Sequence, residues 1–325
     1  MKTTLKTIVL AAGLGLAALT AQAADFNLKV AHNGNEEHPF QDGFATFKRL
    51  LEEGSGGRIQ VTIYAQEQLG PEDKVNNMVR DGLVAANATS TGAGLSPYVP
   101  DIDALNYPFL FKSMEHFYEV MDGPVGQKLA KEVEEKLNVV VLGWGFSGTR
   151  SLWNSKHPVV EPSDVGGLKI RTMNSPALIN SFAAVGAQVT PLAFGEVYNA
   201  LQQGVIDGAE TDNVDLVVER FYEATKYVSM TNHLYLGAAY VFSRKVYDKL
   251  PEDLQQLVIE AGKEAVAAER AAMDQKTVEA RSFLESKGLV FNEVNHEAFE
   301  AAVKSVYDNA QPDTVRGLLG EIRSQ

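Results

Sequence analysis

Residues 138–145 read Asn-Val-Val-Val-Leu-Gly-Trp-Gly, a near-continuous apolar run. A run with no polar alternation suits a strand covered on both faces, the pattern of a mainly parallel sheet flanked by helices. Upstream, Phe26–Ala31 alternates like a half-buried strand and ends in the polar loop His32–His38. Phe40–Glu53 follows, with Phe44, Phe47, Leu50 and Leu51 at helical spacing and a stop at Gly54-Ser55-Gly56-Gly57. Ile59–Tyr64 reads as a strand, Pro71–Asp81 as a helix stopped by Gly82, Val84–Ala88 as a strand, and Glu115–Leu137 as one charged helix. Downstream, Leu168–Thr172, Gln188–Thr190, Ile206–Glu210 and Tyr235–Ser243 read as strands. The helices Pro176–Val185 and Gly195–Gln203 lie between the first three of them. Strands alternating with helices place the chain in the α/β class.

From Glu252 to Lys287 no proline intervenes, and alanine, glutamate, lysine and leucine dominate. A single helix of that length measures roughly 50 Å at 1.5 Å per residue, more than one lobe is wide. Two helices broken at Gly262 are the alternative, although glycine within a helix costs only about 1 kcal/mol.

The first residues address compartment. Lys2 and Lys6 precede the apolar stretch Ile8–Thr20, and Ala21-Gln22-Ala23 offers a small-x-small cleavage pattern before Ala24. The apolar run is about 13 residues, short of the roughly 20 a membrane span needs. A cleaved signal peptide over residues 1–23, and hence an exported, periplasmic protein, is expected. The remaining length of about 302 residues favours two lobes over one core. There is no cysteine, which excludes thiol catalysis, thiolate metal sites and disulfides. Formal charge is −13, and losing Lys2 and Lys6 leaves 27 basic against 42 acidic residues, or −15. Such a surface repels nucleic acid and anionic lipid, and an anionic ligand needs local cations to overcome it.

Two arginines stand out. Arg150 follows a strand and a turn in Gly145-Phe146-Ser147-Gly148-Thr149-Arg150, and Arg171 sits inside the strand-like Lys169-Ile170-Arg171-Thr172. An arginine in a buried strand must find a partner, because an isolated buried cation is costly. Its planar fork grips a carboxylate bidentately, so each is either a ligand anchor or half of a structural salt bridge. Three polar stretches follow strands, where α/β sheets bind ligands: Asn33 to His38, Ser90-Thr91-Gly92 and Thr211-Asp212-Asn213. Their hydroxyl, amide and carboxylate groups suit a polyhydroxylated ligand, and ordinary loop polarity is the alternative. Trp144 and Phe194 could stack on a ligand or pack in a core.

Catalytic signatures are weak. The glycine after Ser147 falls one position early for a nucleophile elbow. No phosphate loop, His-Glu-x-x-His or calcium loop is present. His38 beside Glu36 and Glu37 is the single local cluster of metal-ligand type, and a solvated loop explains it better. Neither cofactor nor metal is expected.

The chain resembles the solute-binding proteins of TRAP transporters, the DctP family, across essentially its whole mature length. Gly148-Thr149-Arg150 and Gly167-Leu168-Lys169-Ile170-Arg171 with Asn174 carry the resemblance. So do the stretch from Pro191-Leu192-Ala193-Phe194-Gly195-Glu196 through Ile206-Asp207-Gly208-Ala209-Glu210, and Leu250-Pro251-Glu252-Asp253-Leu254. It implies a two-lobed periplasmic binding protein with the long helix spanning both lobes. Lobe I would take 24–148 with about 236–270 returning to it, and lobe II 149–235 with about 271–325. The family's carboxylate-pairing arginine falls on Arg171, the second arginine of sialic-acid-binding members on Arg150, their asparagine on Asn174 and their packing ring on Phe194. Thr211, where those members carry asparagine, and Ser90, where they carry an acid, depart from that subgroup. Glu37-His38-Pro39 is more similar to members that bind uronates. The resemblance implies a monomeric, non-enzymatic carrier that hands a small organic acid, foremost a sugar acid, to small and large TRAP membrane subunits. Asn33, Glu37, His38, Ser90, Thr91, Asn174, Thr211, Asp212 and Asn213 are the candidates beside Arg171, Arg150 and Phe194. A C4-dicarboxylate ligand, an exported sugar-acid lyase or epimerase, and a partner of the ABC-importer or sensor-kinase type are the competing readings.

Overall fold

The computed structural model describes residues 24–325; the signal-peptide reading concerns residues 1–23 and lies outside the described residues. Nine strands are present: β1 (Phe26–Ala31), β2 (Ile59–Tyr64), β3 (Ala86–Ser90), β4 (Val139–Asn154), β5 (Lys169–Thr172), β6 (Gln188–Pro191), β7 (Gly208–Thr211), β8 (Tyr227–Ser243) and β9 (Val290–Asn292). They form one sheet in the order β2-β1-β3-β8-β4-β7-β5-β6, with β9 added alongside β8.

The apolar run at 138–145 is central, as expected, but its neighbours are antiparallel. β4 pairs antiparallel with both β8 and β7, and parallel pairing is confined to the two ends of the sheet and to β9. An unbroken apolar strand reports cover on both faces, and it carries no information on the direction of its neighbours.

β4 and β8 are 16 and 17 residues long, and they join the two lobes. The first half of β4, Val139–Phe146, pairs with Gly237–Ser243 of β8, on the side where β3, β1 and β2 continue the sheet. Its second half, Ser151–Asn154, pairs with β7, beyond which lie β5 and β6. The switch falls at a bulge between Phe146 and Thr149. Gly148 sits in it with φ +85°, and a Cβ there would lie 2.3 Å from the Cβ of Asp212. Only glycine accepts both that backbone and that approach.

The helix Glu252–Ser286 is continuous. Leu254, Val258, Ala261 and Ala265 pack with Val30, Phe44 and Phe47 in the core of the first lobe, while Leu284 joins Trp153, Val197 and Ala209 in that of the second. Gly262 does not break it: a Cβ there would meet the Leu142 side chain at 2.7 Å, so the glycine lets the helix lie close on β4. Among the described residues no helix is long and apolar enough to cross a membrane.

Other boundaries differ from the sequence reading. The helix expected over 115–137 is two, Met114–Asp122 and Pro124–Leu137, because Gly123 is extended and Pro124 lacks the N–H to continue. β3 and β7 each start two residues later than expected, so Ser90 and Thr211 end strands. The 3-10 helix Pro100–Asn106 and the helices His296–Asp308 and Asp313–Arg323 carry no sequence expectation. The last packs Leu318 and Ile322 into one core with Ile102 and Leu105, and Thr314 donates to Asp101 at 2.5 Å.

Candidate ligand-binding site

Arg171 is the third residue of β5, a strand flanked on both sides, and only 1% of it is exposed. Its Nε and Nη2 donate to the Leu192 carbonyl at 3.0 and 2.8 Å, and its Nη1 meets no partner. Among the described residues no carboxylate comes within ion-pair distance of it. Burial lowers its pKa to about 10, so it stays charged at neutral pH. A buried guanidinium with an unmade hydrogen bond is costly unless an acceptor arrives.

Arg150, 2% exposed, is occupied by contrast. Nε donates to Glu210 Oε2 at 2.5 Å, Nη2 donates to the Glu210 carbonyl, and Nη1 stands 3.7 Å from Asp215. The Glu210 carboxylate and Asp215 hold its pKa above the usual arginine range against the effect of burial. One arginine is thus balanced by the protein, and its neighbour is not.

Both line a narrow cavity whose walls also include Asn33, His38, Glu72, Ser90, Ser147 and Phe194. Glu72 begins the helix Glu72–Asp81 and is buried; it accepts Asn33 Nδ2 at 2.6 Å, Ser90 N–H at 2.9 Å and Ser90 Oγ at 2.7 Å. Burial raises its pKa, and those hydrogen bonds oppose the rise. His38 caps the helix Pro39–Gly54, its Nδ1 accepting from Phe40 N–H at 3.1 Å. Burial pushes its pKa down to about 4, so the ring is neutral and its proton sits on Nε2, 3.4 Å from Asp215. The Phe194 ring centre lies 6.0 Å from Arg171 Cζ and also lines a larger outer groove with Glu67, Tyr98 and Asn174.

The cavity gathers Arg171, Arg150, Asn33, His38, Ser90 and Phe194 from the sequence candidates. It leaves others out. Asn174 is exposed at the outer groove. Thr91 donates to Asn106 at 2.9 Å in the interior. Thr211 accepts from Trp153 Nε1 at 3.0 Å, and Asp212 caps the helix Asn213–Val218 through Val214 and Asp215 N–H. Asn213 is half-buried at the start of that helix. Glu37 is exposed, in a groove with Lys276 and Phe283. Trp144 is core, its Nε1 donating to the Gly126 carbonyl at 3.1 Å. The residues that the sequence reading missed are Glu72, Asp215 and the pairing role of Glu210. Glu72-Asp73 reads as routine helix-start acidity, and Asp215 hides three residues behind a helix cap. Among the described residues no cluster of three or more His, Cys, Asp or Glu is placed to hold a metal ion.

The buried titratable groups predict a pH profile. Burial lowers His32 and His38 to about 4 and His233 to about 3, so their contribution to stability is present above pH 6.5 and lost as pH falls toward 4. Burial raises Asp212 to about 7, Asp215 to about 6 and Glu269 to about 8. Glu67 and Glu219, less deeply buried, also rise to about 7. These carboxylates work the other way: their contribution is present near pH 4 and lost as pH rises to 7–8. Five carboxylates outweigh three histidines, so the urea midpoint of the ligand-free chain is expected to be higher at pH 5.5 than at pH 8. A flat or rising midpoint across that interval would count against the burial of these acids.

Two lobes on shared strands, meeting at a cavity whose buried Arg171 has no carboxylate within ion-pair distance among the described residues, define a binding protein for small anions. The chain belongs to the bacterial extracellular solute-binding protein family 7, DctP, whose family model matches residues 30–313. A solute-binding protein of Chromohalobacter salexigens is 34% identical over 272 residues, 83% of this chain and 80% of its own. A TRAP periplasmic solute-binding protein from Sulfitobacter sp. NAS-14.1, solved with bound β-D-galacturonate, superposes with a TM-score of 0.89 at 30% identity, covering 92% of this chain and 100% of its own. One from Roseobacter denitrificans with bound L-galactonate gives 0.87 at 32% identity, covering 93% and 99%. The chain is accordingly a solute-binding protein and not an enzyme, which removes the lyase and epimerase alternatives.

Proposed function

We propose that the chain is the periplasmic component of a TRAP transporter and captures a sugar acid, a uronate or aldonate, for delivery to the small and large membrane subunits. The observation that carries this reading is the unpartnered Nη1 of buried Arg171 beside a cavity between the lobes, a seat for one carboxylate. Arg150 Nη1, held only loosely by Asp215, adds a second charge-assisted donor. Across the cavity, Glu72 and the Asn33, His38 and Ser90 side chains supply partners for hydroxyl groups, and Phe194 covers a ring or carbon face. Galacturonate and galactonate, the ligands of the two solved relatives, each combine one carboxylate with several hydroxyls. Glu72 also argues against a C4-dicarboxylate, whose second carboxylate would meet a buried acid.

A thermal-shift screen on unfolded and refolded, ligand-free protein tests the reading. A native-state ligand at a hundredfold excess over Kd adds about 2.7 kcal/mol of stability. Uronates or aldonates are expected to raise Tm, with matching neutral sugars and succinate inert. A shift with neutral sugars, or with none of the acids, would mean that the ligand class is wrong.

A further inference from the structure

Away from the cavity, two carboxylates cross between the lobes in opposite directions, and each ends on a backbone amide. Glu67, in the loop after β2, accepts the Gly195 N–H beyond β6 at 3.1 Å. Glu219, just after the helix Asn213–Val218, accepts the Asn35 N–H beyond β1 at 2.9 Å. The Asn35 side-chain amide adds a bond to the Val218 carbonyl. On the first lobe the two loops are tied together, Gln66 N–H donating to the Gly34 carbonyl at 2.7 Å, so the two crossings act on one body. A Cβ on Gly195 would fall 2.5 Å from Glu67 Oε2, so the seat fits the bare backbone. Neither carboxylate lines the cavity that holds Arg171.

We propose that Glu67 and Glu219 form a reciprocal clasp that holds the cleft shut and sets how slowly the bound acid leaves. Both bonds exist only when the lobes meet, and neither carboxylate is part of the wall around Arg171 and Arg150. They therefore stabilise the closed form without changing what the cavity recognises. Opening must break both, while capture starts from the open form, so the clasp acts on dissociation and leaves association alone. The choice of a backbone amide as partner makes each bond independent of the side chain opposite. Burial in the closed form raises both carboxylates to about 7. The groups facing Glu67 are Glu72, Arg171 and Glu196, and those facing Glu219 are Asp215 and Glu67. Closing then takes up protons, and release quickens as pH rises from about 5 to 7. The clasp rests on the cavity being the ligand site only where its effect on ligand release is concerned.

The test uses the mature chain with Glu67→Ala/Glu219→Ala, and with Glu67→Gln/Glu219→Gln, whose amide oxygens still accept. With β-D-galacturonate as probe, stopped-flow displacement is expected to show dissociation at least tenfold faster in the alanine variant. Association should stay within twofold, and the glutamine variant should recover most of the loss without the pH dependence. Because the chain has no cysteine, Gln68→Cys and Gln202→Cys, both at exposed positions, accept spin labels across the cleft for a ligand-free distance measurement. The alanine variant is expected to lose short distances that the wild type populates. Unchanged dissociation in the alanine variant overturns the clasp. If the wild type binds no sugar acid, the ligand reading fails, and the clasp falls separately if the spin-label distances of variant and wild type coincide.

Discussion

Arg171→Met is expected to abolish tight binding of the sugar acid while raising the unfolding temperature of the ligand-free chain. The two effects have one cause. In the free protein the guanidinium is buried, donates twice to the Leu192 carbonyl and leaves Nη1 unmatched. An unmade buried hydrogen bond costs about 1–3 kcal/mol, and replacing a poorly paired buried charge with an apolar chain of similar length is often neutral or stabilising. Leu192 is half-buried, so its carbonyl is expected to regain water and little offsets that gain. Removing the cation also deprives a desolvated carboxylate of its partner, which typically costs about 2–5 kcal/mol of binding, or roughly 30- to 5000-fold in Kd. Titration calorimetry and scanning calorimetry on the same preparation read both. Near wild-type affinity would sink the anchor assignment, and a large drop in ligand-free Tm would make Arg171 a structural residue.

Glu210→Ala is expected to do the reverse. It leaves Arg150 with Asp215 at 3.7 Å as its remaining carboxylate and removes the 2.5 Å charge-assisted bond in a region that water does not reach. Breaking a buried pair from one side costs about 3–5 kcal/mol. In a chain of this size that corresponds to a fall in Tm of roughly 5–10 °C. The double replacement Arg150→Met/Glu210→Gln removes both charges and should recover a large part of the loss, which a simple packing defect at position 210 would not allow. A loss below about 1 kcal/mol in Glu210→Ala would show that water relaxes into the pair.

These two arginines mark the limit of what the sequence discloses. Either could have been an anchor or half of a salt bridge, because a strand pattern reveals that an arginine is buried but not what faces it. Local signals were otherwise dependable: Gly82 takes φ +81° at the end of its helix, and β1 and β2 fall where alternation places them. Direction of pairing was not legible for 138–145, since burial on both faces is compatible with either. Helix ends slipped where a local breaker prevailed over the longer pattern, as at Gly123-Pro124 inside an otherwise continuous charged stretch. In the site, the loop polarity that pointed to Asn33, His38 and Ser90 pointed equally to Thr91 and Asp212, which serve the fold itself. Glu72 was hidden for the opposite reason: an acid in the first turn of a helix needs no ligand to explain it.

β4 and β8 have a thermal consequence. A binding protein whose lobes hung on flexible linkers could melt in two steps, the ligand protecting only what it touched. Here each lobe's sheet contains half of the same two strands, so losing one lobe strips hydrogen bonds from the central strands of the other. The lobes are bound to unfold together, in a single heat-absorption peak whose calorimetric and van't Hoff enthalpies agree. A molecule of a dozen heavy atoms, held at the junction, then raises the melting point of all the described residues at once.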